Sequence, residues 1–222
     1  MTRKQKRKGE DPGYKPRNLE PRNDGQADII KSVMRNSITF VTGPAGTGKT
    51  HVAVGLAVRG MRNGIFERII VTRPLVSVGK DMGYLPGGIE DKVGPYVQPC
   101  FDELQYYLST AMIRQMINDG AIEIVPLSMM RGRTFRNCFI ILDEAQNAVH
   151  TEIKSLLTRI GEDSRMVLAG DTDQSDLPEG QRGAFLEASE RLEGMNGIAS
   201  IAMTEEHIVR HSLIGGIIRR LW

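Results

Sequence analysis

Eight consecutive residues, Gly43, Pro44, Ala45, Gly46, Thr47, Gly48, Lys49 and Thr50, constrain what this chain can fold into more than any other stretch. They match G-x-x-x-x-G-K-[ST], a loop whose glycines let the backbone curl tightly enough to aim its N–H groups at a phosphate. Such a loop needs a strand in front and a helix behind, because the helix N-terminus adds partial positive charge to the cradle. Both flanks are predicted: residues 37–42 (SITFVT) are short, apolar and β-branched, and residues 49–62 suit a helix. Lys49 is then placed to reach the β- and γ-phosphates of a nucleoside triphosphate, and the Thr50 hydroxyl to ligate Mg²⁺. His51, next in the same turn, joins the candidate nucleotide contacts.

Five more runs have the character of 37–42: 68–73 (RIIVTR), 121–126 (AIEIVP), 138–143 (CFIILD), 165–171 (RMVLAGD) and 198–203 (IASIAM). Near-continuous hydrophobicity in short runs marks strands covered on both faces. Stretches at 49–62, 146–160 and 182–194 suit crossover helices, and a final helix is expected over 205–221 with Thr204 as its cap. The alternation predicts an α/β fold with a mostly parallel sheet and helices on both faces. At 222 residues and 40% hydrophobic content the chain suits one large domain, placed at 23–222. Five glycines and four prolines within 74–99 predict an irregular surface insertion, with a helix behind it over 96–118. Met112, Ile113, Met116 and Ile117 read as a core stripe on that helix.

Charge is unevenly spread. Residues 1–22 carry eight Lys or Arg against three acids, whereas the rest of the chain is slightly acidic. That leader is expected to be solvated and disordered, although such a tail also suits contacts with nucleic-acid phosphates. The sequence has no apolar run long enough for a membrane-spanning helix. Cys100 and Cys138 are too far apart in sequence for zinc-ligand spacing, so reduced thiols and a cytoplasmic setting are expected.

Two further motifs bring chemistry to strand ends. Phe139-Ile-Ile-Leu-Asp-Glu144 delivers consecutive carboxylates, Asp143 for the Mg²⁺ shell and Glu144 as the base that takes a proton from an attacking water. Leu168-Ala-Gly-Asp-Thr-Asp-Gln174 ends another strand, and the Gln174 amide both donates and accepts, as a γ-phosphate sensor must. Gln26 reads from sequence alone as an exposed helix residue. Arg73 and Arg210 are candidate stabilisers of phosphoryl charge, with a structural role as the default for either. His207 and His211, four apart, lack a third metal ligand and read as structural.

Taken together, GPAGTGKT at 43–50, TRP at 72–74, GYLPG at 83–87, LDEAQN at 142–147 and GDTDQ at 170–174 resemble the PhoH-like ATPases. The resemblance covers roughly 26–220 and implies a P-loop NTPase with a RecA-like core, similar to the first motor domain of superfamily 1 helicases. It implies that Gln26 contacts adenine, so that ATP with Mg²⁺ is the expected ligand, that Gln174 senses the γ-phosphate, and that Arg210 fits a finger role. A motor of that kind closes ATP between two cores, and this chain has room for one. A homo-oligomer is therefore expected, a hexameric ring by preference, with Arg210 or Arg73 supplied in trans, acting on RNA or single-stranded DNA. The alternatives are an ATP-dependent switch or nucleic-acid binding module with little turnover, and a P-loop kinase. The kinase is disfavoured because 74–99 has no arginine for a lid.

Overall fold

The computed structural model describes residues 17–75, 89–209 and 220. Helix α1 (Asp24–Arg35) starts at Asn23, whose side-chain oxygen accepts the Gln26 N–H at 2.8 Å, a capping bond that fixes the helix entry. There follow β1 (Ile38–Thr42), α2 (Lys49–Arg62), β2 (Arg68–Arg73), α3 (Ile89–Tyr107), α4 (Thr110–Asn118) and β3 (Ile122–Pro126). The chain continues with β4 (Cys138–Leu142), α5 (His150–Leu157), β5 (Arg165–Gly170), α6 (Ala184–Arg191) and β6 (Ile198–Ala202).

The six strands among the described residues lie parallel in one sheet of order β3-β2-β4-β5-β1-β6. Side chains alternate between two cores, as the period of two demands. Val41, Ile69, Val71, Phe139, Ile141 and Val167 pack with α1 to α4 on one face. Phe40, Ile70, Ile140, Leu142, Met166 and Leu168 pack with α5 and α6 on the other. Each fully buried side chain of this size stabilises the fold by about 1.5–3 kcal/mol. The expected strands are found within a residue at either end, and α2 has the expected bounds.

Four expectations change. Helix α3 begins inside the segment read as irregular and runs through Pro95 and Pro99. Its buried Cys100, Leu104 and Tyr107 repeat at helical spacing, and that apolar stripe outweighs the prolines. The single helix expected over 96–118 is two, because Ser109 starts a new one by capping the Met112 N–H. Of the stripe on α4, Ile113 is buried but Ile117 is exposed. The final helix does not run on from residue 205: a 3-10 turn spans Glu205–His207, and Ile208 is extended. In the described part of the leader, residues 17, 18 and 20–22 are exposed. Leu19 is buried, and the Arg17 guanidinium stacks over the Tyr106 ring at 4.5 Å. The GYLPG segment at 83–87 and residues 1–16 lie outside the described residues. No helix among the described residues is long and apolar enough to cross a membrane.

Candidate functional site

Parallel strands all end at the same side of the sheet, so the loops after β1, β4 and β5 meet there. Since β5 lies between β1 and β4, the phosphate loop and the acidic pair face each other across its tip. They enclose a cleft of about 230 Å³ lined by Ala45, Gly46, Gly48, Lys49, Thr50 and His51 from the loop and α2. Glu103, Asp143, Glu144, Ala169, Gly170, Asp171 and Gln174 complete the lining.

The loop is shaped by its glycines. Gly43 has φ of +136°, and a side chain there would collide with the Met203 carbonyl. Gly48, at φ +84°, is the N-cap of α2. Left-handed backbone at such points is nearly free for glycine alone. Thr47 Oγ1 donates to the Pro44 carbonyl at 2.9 Å, and Lys49 Nζ donates to the carbonyls of Gly43 and, at 2.8 Å, Pro44. Lys49 is thus folded across the loop it serves.

Opposite, the Thr50 hydroxyl donates to Asp143 Oδ1 at 2.6 Å. Burial pushes the Asp143 carboxyl above the usual carboxylate range, against the pull of the Thr50 hydrogen bond and the Arg73 guanidinium. A divalent cation would favour its charged form. Thr50 and Asp143 present hard oxygen donors of the kind Mg²⁺ takes, side by side at the head of α2, so the residues fit that ion. Glu144 adopts left-handed backbone, φ 54° and ψ 40°, which for a non-glycine residue costs about 1 kcal/mol. This turn aims it differently from its neighbour: Asp143 faces Thr50, while Glu144 accepts from Gln146 Nε2 at 2.6 Å.

Arg73, at the end of β2 beside β4, contacts both acids of its own chain, with Nε 3.3 Å from Asp143 and Nη2 3.1 Å from Glu144. This pairing follows from the adjacency of the two strands and engages Arg73 within its own chain. Arg210 and His211 lie outside the described residues. His207 is engaged structurally, 3.3 Å from Asp24 and accepting the Thr204 N–H at 2.9 Å. The His51 ring, while lining the cleft, is held between Glu103 at 3.0 Å and the Tyr107 hydroxyl at 2.8 Å. Gln26 is buried, contrary to its reading as an exposed helix residue.

Two residues with no role assigned from sequence tie the site together. Gln146 Oε1 accepts the Asp171 N–H at 3.0 Å, while its Nε2 serves Glu144 and, at 3.4 Å, the Gln174 carbonyl. Asp171 accepts the Ala45 N–H at 3.0 Å and that of Asp173 at 3.1 Å. A continuous path therefore runs from Glu144 through Gln146 and Asp171 into the phosphate loop. Both residues sat inside motifs recognised from sequence, yet polar residues after strands give no signal of their partners.

Residues 18–221 match the family described as PhoH-like protein. A PhoH-like protein of Bacillus subtilis (strain 168) is 41% identical over 204 residues, 92% of this chain and 64% of the relative. Protein PhoH of Escherichia coli (strain K12) is 37% identical over 194 residues, 86% of this chain and 55% of that protein. The chain thus spans less than two thirds of the length of the curated relatives it matches. Among solved structures, the large terminase from a thermophilic bacteriophage aligns with a TM-score of 0.59 at 10% identity, over 91% of this chain and 51% of that one. The UvsW helicase from Bacteriophage T4 aligns with a TM-score of 0.53 at 16% identity, over 86% and 62%. At these identities they share the fold, an α/β RecA-like P-loop NTPase core. With that core, a phosphate loop facing an acidic pair, and a match running from residue 18 almost to the last, the chain belongs to the PhoH-like protein family.

Proposed function

We propose that the protein binds ATP with Mg²⁺ and hydrolyses it by direct attack of water on the γ-phosphate. The observation that carries this reading is the convergence of Lys49, Thr50, Asp143 and Glu144 on one cleft. Backbone N–H groups of residues 43–48 and the head of α2 hold the phosphates, and Lys49 swings from the Gly43 and Pro44 carbonyls onto them. Thr50 and Asp143 hold Mg²⁺, which when bound offsets the charge of the phosphate oxygens. Glu144 accepts the proton as the water oxygen bonds to phosphorus and the bond to the bridging oxygen breaks, releasing ADP and phosphate. Gln174 reports the γ-phosphate, and Gln146 passes that state to Glu144.

The same reading extends to a cytoplasmic homo-oligomer, a hexameric ring by preference, that remodels RNA or single-stranded DNA, with Arg210 as the residue given in trans. Its support is the fold shared with the terminase and the UvsW helicase and the basic residues concentrated in 1–22. The test is a steady-state assay of phosphate release with no acceptor added. Glu144→Gln is expected to lower turnover by about 10²–10³ while ATP still binds. Unchanged turnover would favour the switch reading. Stimulation by single-stranded RNA or DNA that fades with salt is the expected sign of phosphate contacts. Full activity in a monomer, by light scattering, removes the ring.

A further inference from the structure

Gln26 is 1% exposed, and both ends of its amide are held by backbone. Oε1 accepts the Arg22 N–H at 3.0 Å, and Nε2 donates to the Thr47 carbonyl at 3.0 Å. These partners fix the amide's orientation, because a backbone N–H only donates and a carbonyl only accepts. Reversing the amide would set like against like at both ends. A glutamine that reads a base must offer its donor and acceptor to the ligand. This one lies beneath the phosphate loop with neither edge exposed.

What it does to the loop follows from peptide geometry. A trans peptide is planar, with its carbonyl and the following N–H pointing in opposite directions. Pinning the Thr47 carbonyl toward α1 therefore turns the Gly48 N–H away from α1. Gly48 lines the cleft, whereas no α1 residue does. The preceding peptide is pinned in the same manner: the Val209 N–H donates to the Gly46 carbonyl at 2.9 Å, which turns the Thr47 N–H away from Val209. Contact at this point is close, since a Cβ on Gly48 would lie 2.6 Å from Gln26 Nε2. Asn23 then secures both props. Its Oδ1 accepts the Gln26 N–H at 2.8 Å and its Nδ2 donates to the His207 carbonyl at 2.8 Å, two residues before Val209.

Building on the nucleotide reading of the cleft, we infer that Gln26 is a positioning residue for the phosphate cradle, acting alike on every triphosphate, and that it does not select the base. The resemblance to helicase cores assigns it to adenine; its burial and its two backbone bonds assign it to Thr47.

Competition binding by the full chain with ATP, GTP and inorganic tripolyphosphate tests the point, because the last probe has no base. Gln26→Ala is expected to weaken all three about ten-fold, leaving the ATP-to-GTP ratio unchanged within about two-fold. Gln26→Met keeps the length without adding charge and is expected to behave the same. It takes the place of the alanine variant should circular dichroism show that variant unfolded. A loss confined to ATP, with GTP and tripolyphosphate binding as before, overturns the inference and leaves the nucleotide site standing. A parent chain that binds none of the three overturns both.

Discussion

Helix α2 has a cleft at each end, and the two differ in size and in chemistry. Where the strands begin, Glu67, Asn137, Glu162, Asp163 and Arg165, among others, line a cavity of about 650 Å³. Where the strands end, the cleft around the phosphate loop measures about 230 Å³. The larger one is bordered by Gly64–Phe66, the turn that follows α2, so the helix shows it the carbonyl end of its dipole. The smaller one faces the amide end of the same helix. Volume therefore says little about where an anion binds. Backbone polarity says a good deal, and here it favours the small cleft.

Three substitutions would break or sharpen that contrast. Lys49→Ala should have the largest effect, lowering ATP turnover at least about 100-fold by removing the cation from the cradle. Gln146→Ala should be intermediate. It loses the donor to Glu144 but no contact with the phosphate loop itself, so turnover should fall about ten-fold with KM for ATP changed by less than about two-fold. Equal losses in turnover and affinity would mean that Gln146 shapes the cleft as a whole. Glu162→Ala, in the larger cavity, should leave turnover and KM within about two-fold of the parent. A loss there approaching that of Lys49→Ala would show that the large cavity binds the substrate, and the polarity argument would fail.

The strands were legible because burial on both faces leaves a plain mark, a short run of Val, Ile, Leu and Phe. The cradle was legible because few loops need glycine at both Gly43 and Gly48 followed by lysine. Asp143 and Glu144 were legible as a pair, but not the left-handed turn at Glu144 that separates their directions. The start of helix α3 was hidden by Pro95 and the glycines around it, which weigh against a helix locally, while the packing of Leu104 and Tyr107 that anchors the helix is visible only once the sheet exists. Gln26 was misjudged for a similar reason. Glutamine is exposed on average, and its burial depends on a carbonyl 21 residues away in sequence.

Local sequence determined the elements and the identity of the reactive groups: hydrophobic runs specify strands, glycines permit the loop, and Lys49, Thr50, Asp143 and Glu144 bring their own chemistry. Tertiary structure decided the partnerships. Placing β5 between β1 and β4 set Thr50 against Asp143 and brought Gln146 and Asp171 into one path, and placing β2 beside β4 turned Arg73 onto its own chain's acids. Such contacts join residues far apart in the chain, and their geometry comes from strand order and side-chain packing, which no local pattern of residues encodes.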